Sequence, residues 1–136
     1  MYDHVLIPID FDHKEMTKTA TKVAKRLLND GGKMTLLHVI ASIPTFVAQE
    51  IPSEILANRR DSALDELKKV AANLGDGCQC MIREGNPSRE ILDCAEQDGA
   101  DCIVIASHQP GLQDYFLGST AARVVRHAAC PVHVLR

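Results

Sequence analysis

Short, nearly unbroken apolar runs alternate along this chain with longer stretches in which apolar residues recur every three or four positions. VLIPID, residues 5–10, ends in an acid and reads as a strand buried on both faces of a parallel sheet. From Lys14 to Asn29 the residues Met16, Ala20, Val23, Ala24, Leu27 and Leu28 keep helical spacing, and Gly31-Gly32 ends the pattern. MTLLHVI, residues 34–40, predicts a second buried strand, and a loop containing Pro44 and Pro52 follows it. Ser53 is the expected cap of a long helix whose stripe is Leu56, Ala63, Leu64, Leu67, Val70, Ala71 and Leu74, stopped by Gly75 and Gly77. CQCMIRE, residues 78–84, alternates only partly, which suits a sheet edge. Asn86 can cap a helix with Pro87 at its first position and Ile91, Leu92 and Ala95 on its apolar face. DCIVIA, residues 101–106, is another central strand; a connection then leads into a helix through Ala128, and PVHVLR closes the pattern.

Five strands alternating with helices predict an α/β fold, a parallel sheet with helices on both faces, because right-handed crossovers place each helix against the sheet. At 136 residues one domain, residues 1–136, is expected to carry the whole function. The 46% apolar and 24% charged composition belongs to a globular chain, and a net charge of −3 offers no large positive field for nucleic acid. The start MYDHVLIPID lacks the marks of an export signal, and no apolar run approaches the ~20 residues that cross a bilayer, so a soluble, cytoplasmic protein without membrane insertion is expected. The five cysteines, Cys78, Cys80, Cys94, Cys102 and Cys130, show neither a disulfide framework nor zinc-type pairing, and small core residues are the simplest reading. Cys78 and Cys80 flank Gln79 and share one sheet face, which leaves a metal pair conceivable.

In an open sheet of this kind ligands sit beyond the carboxyl ends of the strands, where strand order reverses. Pro8-Ile9-Asp10, Val39-Ile40 and Ile105-Ala106-Ser107-His108 should converge there. The start of the last helix joins them: Gly118-Ser119-Thr120 would present backbone N–H groups and hydroxyls at the positive end of that helix, an arrangement that holds phosphate without a lysine. A loop glycine and a helix cap explain the same three residues without a ligand, and Asp10 reads either as a solvated turn residue or as an acceptor for ribose hydroxyls. His108 has no serine, cysteine or acid fixed beside it by spacing, so no catalytic residue is assigned. His4, His38 and His133 are expected as core or edge residues, His13 and His127 as exposed helix-end residues, and the four methionines as packing.

These segments carry a resemblance. VLIPID, LLHVI, EGNPSREIL, ADCIVIASH and LGSTAARVVRHAACPVHVLR resemble the universal stress proteins in order and spacing along almost the full chain. The resemblance implies strand order 3-2-1-4-5, homodimerisation, and in one branch the binding of ATP or AMP with a divalent ion such as Mg held through the phosphates. It places Asp10 against ribose or adenine, the Val39 backbone at the adenine edge, and Ala106, Gln109, Gly118, Ser119 and Thr120 around ribose and phosphates. The last strand, Val132, His133, Val134 and Leu135, would pair with its copy in a second subunit. The nucleotide-binding branch usually shows Gly-x-x-Gly, nine residues, then Gly-Ser; here Ala106-Ser107-His108-Gln109 precedes Gly118-Ser119 by eight. ASHQP followed by YFLGS is instead similar to a subgroup with an A-S-H-x-P loop that includes nucleotide binders.

Three functions follow as alternatives. The leading one is an adenine-nucleotide-binding stress-response or regulatory module whose bound nucleotide orders surface loops for an unnamed protein partner. The second is a nucleotide-free homodimeric interaction protein, suggested by the missing glycines. The third is a slow ATPase, which the lack of a lysine between Gln109 and Ser119 and of a P-loop motif disfavours. A phosphorylated receiver domain is set aside, since the third strand ends near Glu84 rather than at an aspartate.

Overall fold

The computed structural model describes residues 1–107 and 117–136. Its elements are β1 (Tyr2–Pro8), α1 (Lys14–Leu27), β2 (Leu28–Ile40), α2 (Thr45–Ala48), α3 (Ser53–Ala71), β3 (Cys78–Glu84), α4 (Pro87–Asp98), β4 (Cys102–Ala106), α5 (Ser119–His127) and β5 (Val132–Leu135). The strands form one parallel sheet in the order β3-β2-β1-β4-β5. This is the order that the resemblance implies, and it leaves the two least buried strands, β3 and β5, at the edges.

Why the central strands read as unbroken apolar runs is visible in their burial. Val5, Ile7 and Ile9 pack with Met34, Leu36 and Val104 under α1 and α3, in one core layer. Leu6, Leu37, Ile103 and Ile105 point the other way, into a second layer with Ile91, Cys94, Ala121 and Val124 of α4 and α5. A strand covered on both faces loses its alternation. Truncating a side chain such as Leu37, which is fully buried, to alanine is expected to cost about 2–5 kcal/mol.

The local signals held unevenly. Asn86 caps α4 as expected, its side chain accepting from the Arg89 N–H at 3.2 Å, with Pro87 at the first position. At the other end Gly99 adopts φ +70°, a left-handed turn that lets the Ala100 N–H reach the Ala95 carbonyl at 2.9 Å. Ser53 is not a cap. It is the first residue of α3, Pro52 occupies the cap position, and no side chain caps that end. Helix α1 stops at Leu27 rather than Asn29, because Leu28 turns extended and joins β2 opposite Tyr2. The 41–52 loop contains the single-turn helix α2.

Candidate functional site

Pro8 carries no N–H, so β1 cannot extend its ladder there; the Ile9 N–H makes the last bond of that edge, to the Leu37 carbonyl at 2.8 Å. The chain then turns at Asp10, whose carboxylate accepts from the Asp12 N–H at 3.0 Å, and whose carbonyl accepts from the His13 N–H at 3.3 Å. His13 Nε2 lies 3.7 Å from the Asp10 carboxylate. Behind the turn, His38 Nδ1 is 2.8 Å from the Ile9 carbonyl, which can only accept, so the proton sits on that nitrogen. The His38 ring stacks on Phe11 with centroids 4.1 Å apart. The β1–α1 wall is thus braced from β2.

Facing it is the junction of β4 and α5. Ser107, buried past the end of β4, accepts the Gly118 N–H on its hydroxyl at 2.9 Å. Gly118 is the cap of α5 and no side chain caps the helix. The Ala122 N–H returns to the Gly118 carbonyl at 2.9 Å. The N–H groups of Ser119, Thr120 and Ala121 precede the first intrahelical bond and have no partner within the helix.

Between the two walls lies a cavity of about 400 Å³. Its lining comes from Pro8, Ile9 and Asp10 after β1, from His13, Met16, Thr17 and Ala20 of α1, and from Leu37, His38 and Val39 of β2. Pro87 and Ile91 of α4, Ile105, Ala106 and Ser107 of β4, and Gly118, Ser119, Thr120 and Ala121 of α5 complete it. The volume falls within the range of small-molecule sites, and the mix of apolar walls with few convergent polar groups is typical of them. Among the described residues the lining carries one carboxylate, Asp10, and no lysine or arginine. The start of α5 supplies positive potential, because its aligned peptides act as roughly half a unit charge.

Ten residues singled out from sequence therefore meet at one place: Pro8, Ile9, Asp10, Val39, Ile105, Ala106, Ser107, Gly118, Ser119 and Thr120. His108 and Gln109 lie outside the described residues. Ile40 does not join the group, because the pleat turns its side chain into the α1–α3 core layer. Sequence reasoning did not name the other lining residues as part of the site, among them His13, Met16, His38 and Ile91. His13 was expected to be exposed, yet it is half-buried against Asp10 and lines the cavity. His38 was expected as a core or edge residue, yet it braces Ile9 and also lines the cavity. Its neighbour Val39 was the available signal, since both stand at the carboxyl end of β2.

The cysteines are all free; Cys94 and Cys102 are buried and the other three half-buried. Burial pushes the Cys102 thiol up to about 11, with neighbouring Cys130 and Asp101 adding to the shift. Among the described residues no group of three or more His, Cys, Asp or Glu is placed to hold a metal ion, and no helix is long and apolar enough to cross a membrane.

Comparison with known proteins agrees on one family. The family model described as Universal stress protein family matches residues 1–136. Universal stress protein MJ0531 of Methanocaldococcus jannaschii is 32% identical over 141 residues, covering 100% of this chain and 83% of that protein. Universal stress protein G of Shigella flexneri is 28% identical over 142 residues and is matched over the full length of both chains. Among solved structures, the hypothetical protein MJ0577 superposes with a TM-score of 0.80 at 29% identity, over 99% of this chain and 96% of that one. A universal stress protein in complex with cAMP superposes with a TM-score of 0.66, over 99% and 97% of the two chains; at 16% identity that likeness concerns the fold alone.

Proposed function

Since the chain belongs to the universal stress protein family, we propose that it is an adenine-nucleotide-binding regulatory module and that the cavity between β1 and α5 is its nucleotide site. In this reading Asp10 accepts hydrogen bonds from the ribose hydroxyls and the Val39 backbone meets the adenine edge. Ile9 and Ile91 give the ligand apolar walls. The phosphates lie at the start of α5, bonded by the Ser119, Thr120 and Ala121 N–H groups and by the Ser119 and Thr120 hydroxyls, with a divalent ion such as Mg held through the phosphates. Ala106 puts a methyl where the nucleotide-binding branch usually carries glycine, so the ligand contacts shift from the β4 end toward the helix. Gln109 remains an expected contact from the resemblance, and His108 one from its place after β4.

The observation that carries the reading is the convergence of the Asp10 turn and the uncapped start of α5 on one cavity of nucleotide size, with Ser107 fixing Gly118 between them. That another protein of this fold takes cAMP indicates which ligands to try first. Bound nucleotide would change the surface offered by the segments beside the cavity to a protein partner, which is the regulatory output. A second copy is the partner expected for β5, which among the described residues pairs only with β4; sedimentation of the purified protein as a dimer supports this, and a monomer removes it. A cytoplasmic setting goes with the same reading.

Thermal unfolding with and without ATP or AMP tests the function. A rise in Tm that grows with nucleotide concentration is expected, because a ligand that binds only the folded state stabilises it by mass action. No shift with either nucleotide at millimolar concentration overturns the proposal. It would favour the nucleotide-free interaction protein, to which Ala106 and Gln109 in place of two glycines point.

A further inference from the structure

Away from the cavity, at the other end of the sheet, three sulfur-bearing side chains share one face. Cys78 opens β3, and Cys80 follows it two residues later, on the same side of the strand. β2 pairs with β3 in the register Met34↔Cys78 and Leu36↔Cys80. Met34, Cys78 and Cys80 all pack into the α1–α3 core layer. Met34 is buried, while both cysteines are half-buried on an edge strand and so can be reached from solvent.

We propose that Cys78, Cys80 and Met34 form a three-coordinate site for Cu(I). Two thiolates and a thioether are soft ligands, the set that selects this ion. Residues two apart on a strand are separated by about 6.6 Å, and the neighbouring strand lies about 4.8 Å away, so thiols leaning together and the flexible methionine can converge on one ion. Zinc suits the place less, because its structural sites take four ligands and no group of three or more His, Cys, Asp or Glu is assembled among the described residues. Charge favours a monovalent ion. Two thiolates and one Cu(I) leave a net single negative charge, and Lys25 and Lys68 lie close enough to Cys78 and Cys80, respectively, to favour it. The copper arrives and remains as Cu(I). Each cysteine gives its thiol proton to solvent as its sulfur bonds the ion, so two protons leave and no electron moves. Burial, then the neighbouring Cys80, push the Cys78 thiol up to about 11, and burial also raises Cys80. Because two protons leave as the ion binds, binding must strengthen with pH.

Anaerobic titration of the full reduced chain with Cu(I), in competition with bathocuproine disulfonate, tests this. The wild type should retain one equivalent, with affinity rising about 100-fold per pH unit near neutrality, the slope of two released protons. Cys80→Ser should halve that logarithmic slope, and Met34→Leu should weaken binding about tenfold with the slope unchanged. Cys130→Ser should behave as wild type. No retained equivalent, or an equivalent retained undiminished by the double variant Cys78→Ser/Cys80→Ser, overturns the site. Should the double variant not fold, X-ray absorption at the copper edge of the loaded wild type decides: three sulfur neighbours support the site, and nitrogen or oxygen neighbours exclude it.

Discussion

The two ends of the sheet use their polar groups in opposite ways. At the end where the strands begin, polar groups are joined to one another. The Asp101 carboxylate accepts the N–H groups of both Asp3 and His4, each at 2.9 Å, and so ties β4 to β1. Asn29 donates to Asp3 at 2.7 Å and accepts from the terminal amine of Met1, and His4 and Thr35 share a buried hydrogen bond of 2.8 Å across β1 and β2. At the end where the strands finish, the start of α5 has no side-chain cap and a cavity lies between Asp10 and Ser119. A parallel sheet puts all strand beginnings on one side, so one edge can be closed for stability while the other is kept open for a ligand. Substitutions at the two edges should therefore separate stability from binding.

The largest separation is expected at Gly118. Its φ of −56° and ψ of 151° suit any residue, so Gly118→Val should leave the free protein folded while placing a branched side chain in the cavity. Nucleotide affinity should fall at least about 100-fold, or about 2.7 kcal/mol, which isothermal titration would register as loss of binding. A variant that binds as well as wild type would place the ligand elsewhere.

Thr35→Val is the mirror experiment at the closed edge. It removes the hydroxyl and leaves a buried His4 nitrogen without its partner, so unfolding free energy should drop by about 1–3 kcal/mol. Urea unfolding should show a lower midpoint with the same slope. Nucleotide affinity should stay within about twofold, since the substitution shares no partner with the cavity. If affinity falls in step with stability, the two edges are not independent.

How far this division could be read from the chain depends on what fixes each part. The unbroken VLI and IVI runs reveal central strands, because burial on both faces removes alternation whatever packs above. Asn86-Pro87 marks a helix start through its own bonds. The break at Leu28 was not legible, because Leu27 and Leu28 continue the helical spacing and a pairing with distant Tyr2 ends the helix. Ser53 failed as a cap for a local reason, since α3 takes it in as the first residue and Pro52 has no side chain that can accept. In the site, Asp10 and Ser119 follow from strand ends and helix starts. His13 and His38 do not, because periodicity shows which face is apolar but not which neighbour a polar residue on that face will meet.

A finer test of the open edge is Ser107→Ala. The hydroxyl accepts the Gly118 N–H, and without it the start of α5 loses a side-chain bond that ties it to the end of β4. A loss of about 1 kcal/mol, or about fivefold in nucleotide affinity, is expected, with the free protein destabilised by no more than that amount. Unchanged affinity would mean that Ser107 does not position the helix.

The smallest effect belongs to Asp101, and pH isolates it. Partial burial pushes this carboxyl up, but the N–H groups of Asp3, of His4 and of Asp101 itself outweigh burial and hold it below its ordinary 3.8. The unfolded chain therefore takes up a proton at a higher pH than the folded one. The stability that the carboxylate adds is complete above the unfolded value and is lost as pH falls through the lower folded value. Asp101→Asn cannot gain that proton, so its stability should be slightly lower than that of wild type at neutral pH and should decline less steeply below about pH 4. Other carboxylates titrate in the same range, which makes the difference between the two acid limbs the quantity to measure by urea unfolding. Parallel limbs would show that Asp101 does not hold β1 to β4 through its charge. Nucleotide affinity at neutral pH should be unchanged, because the carboxylate stands at the closed edge, where its two acceptor oxygens are already occupied.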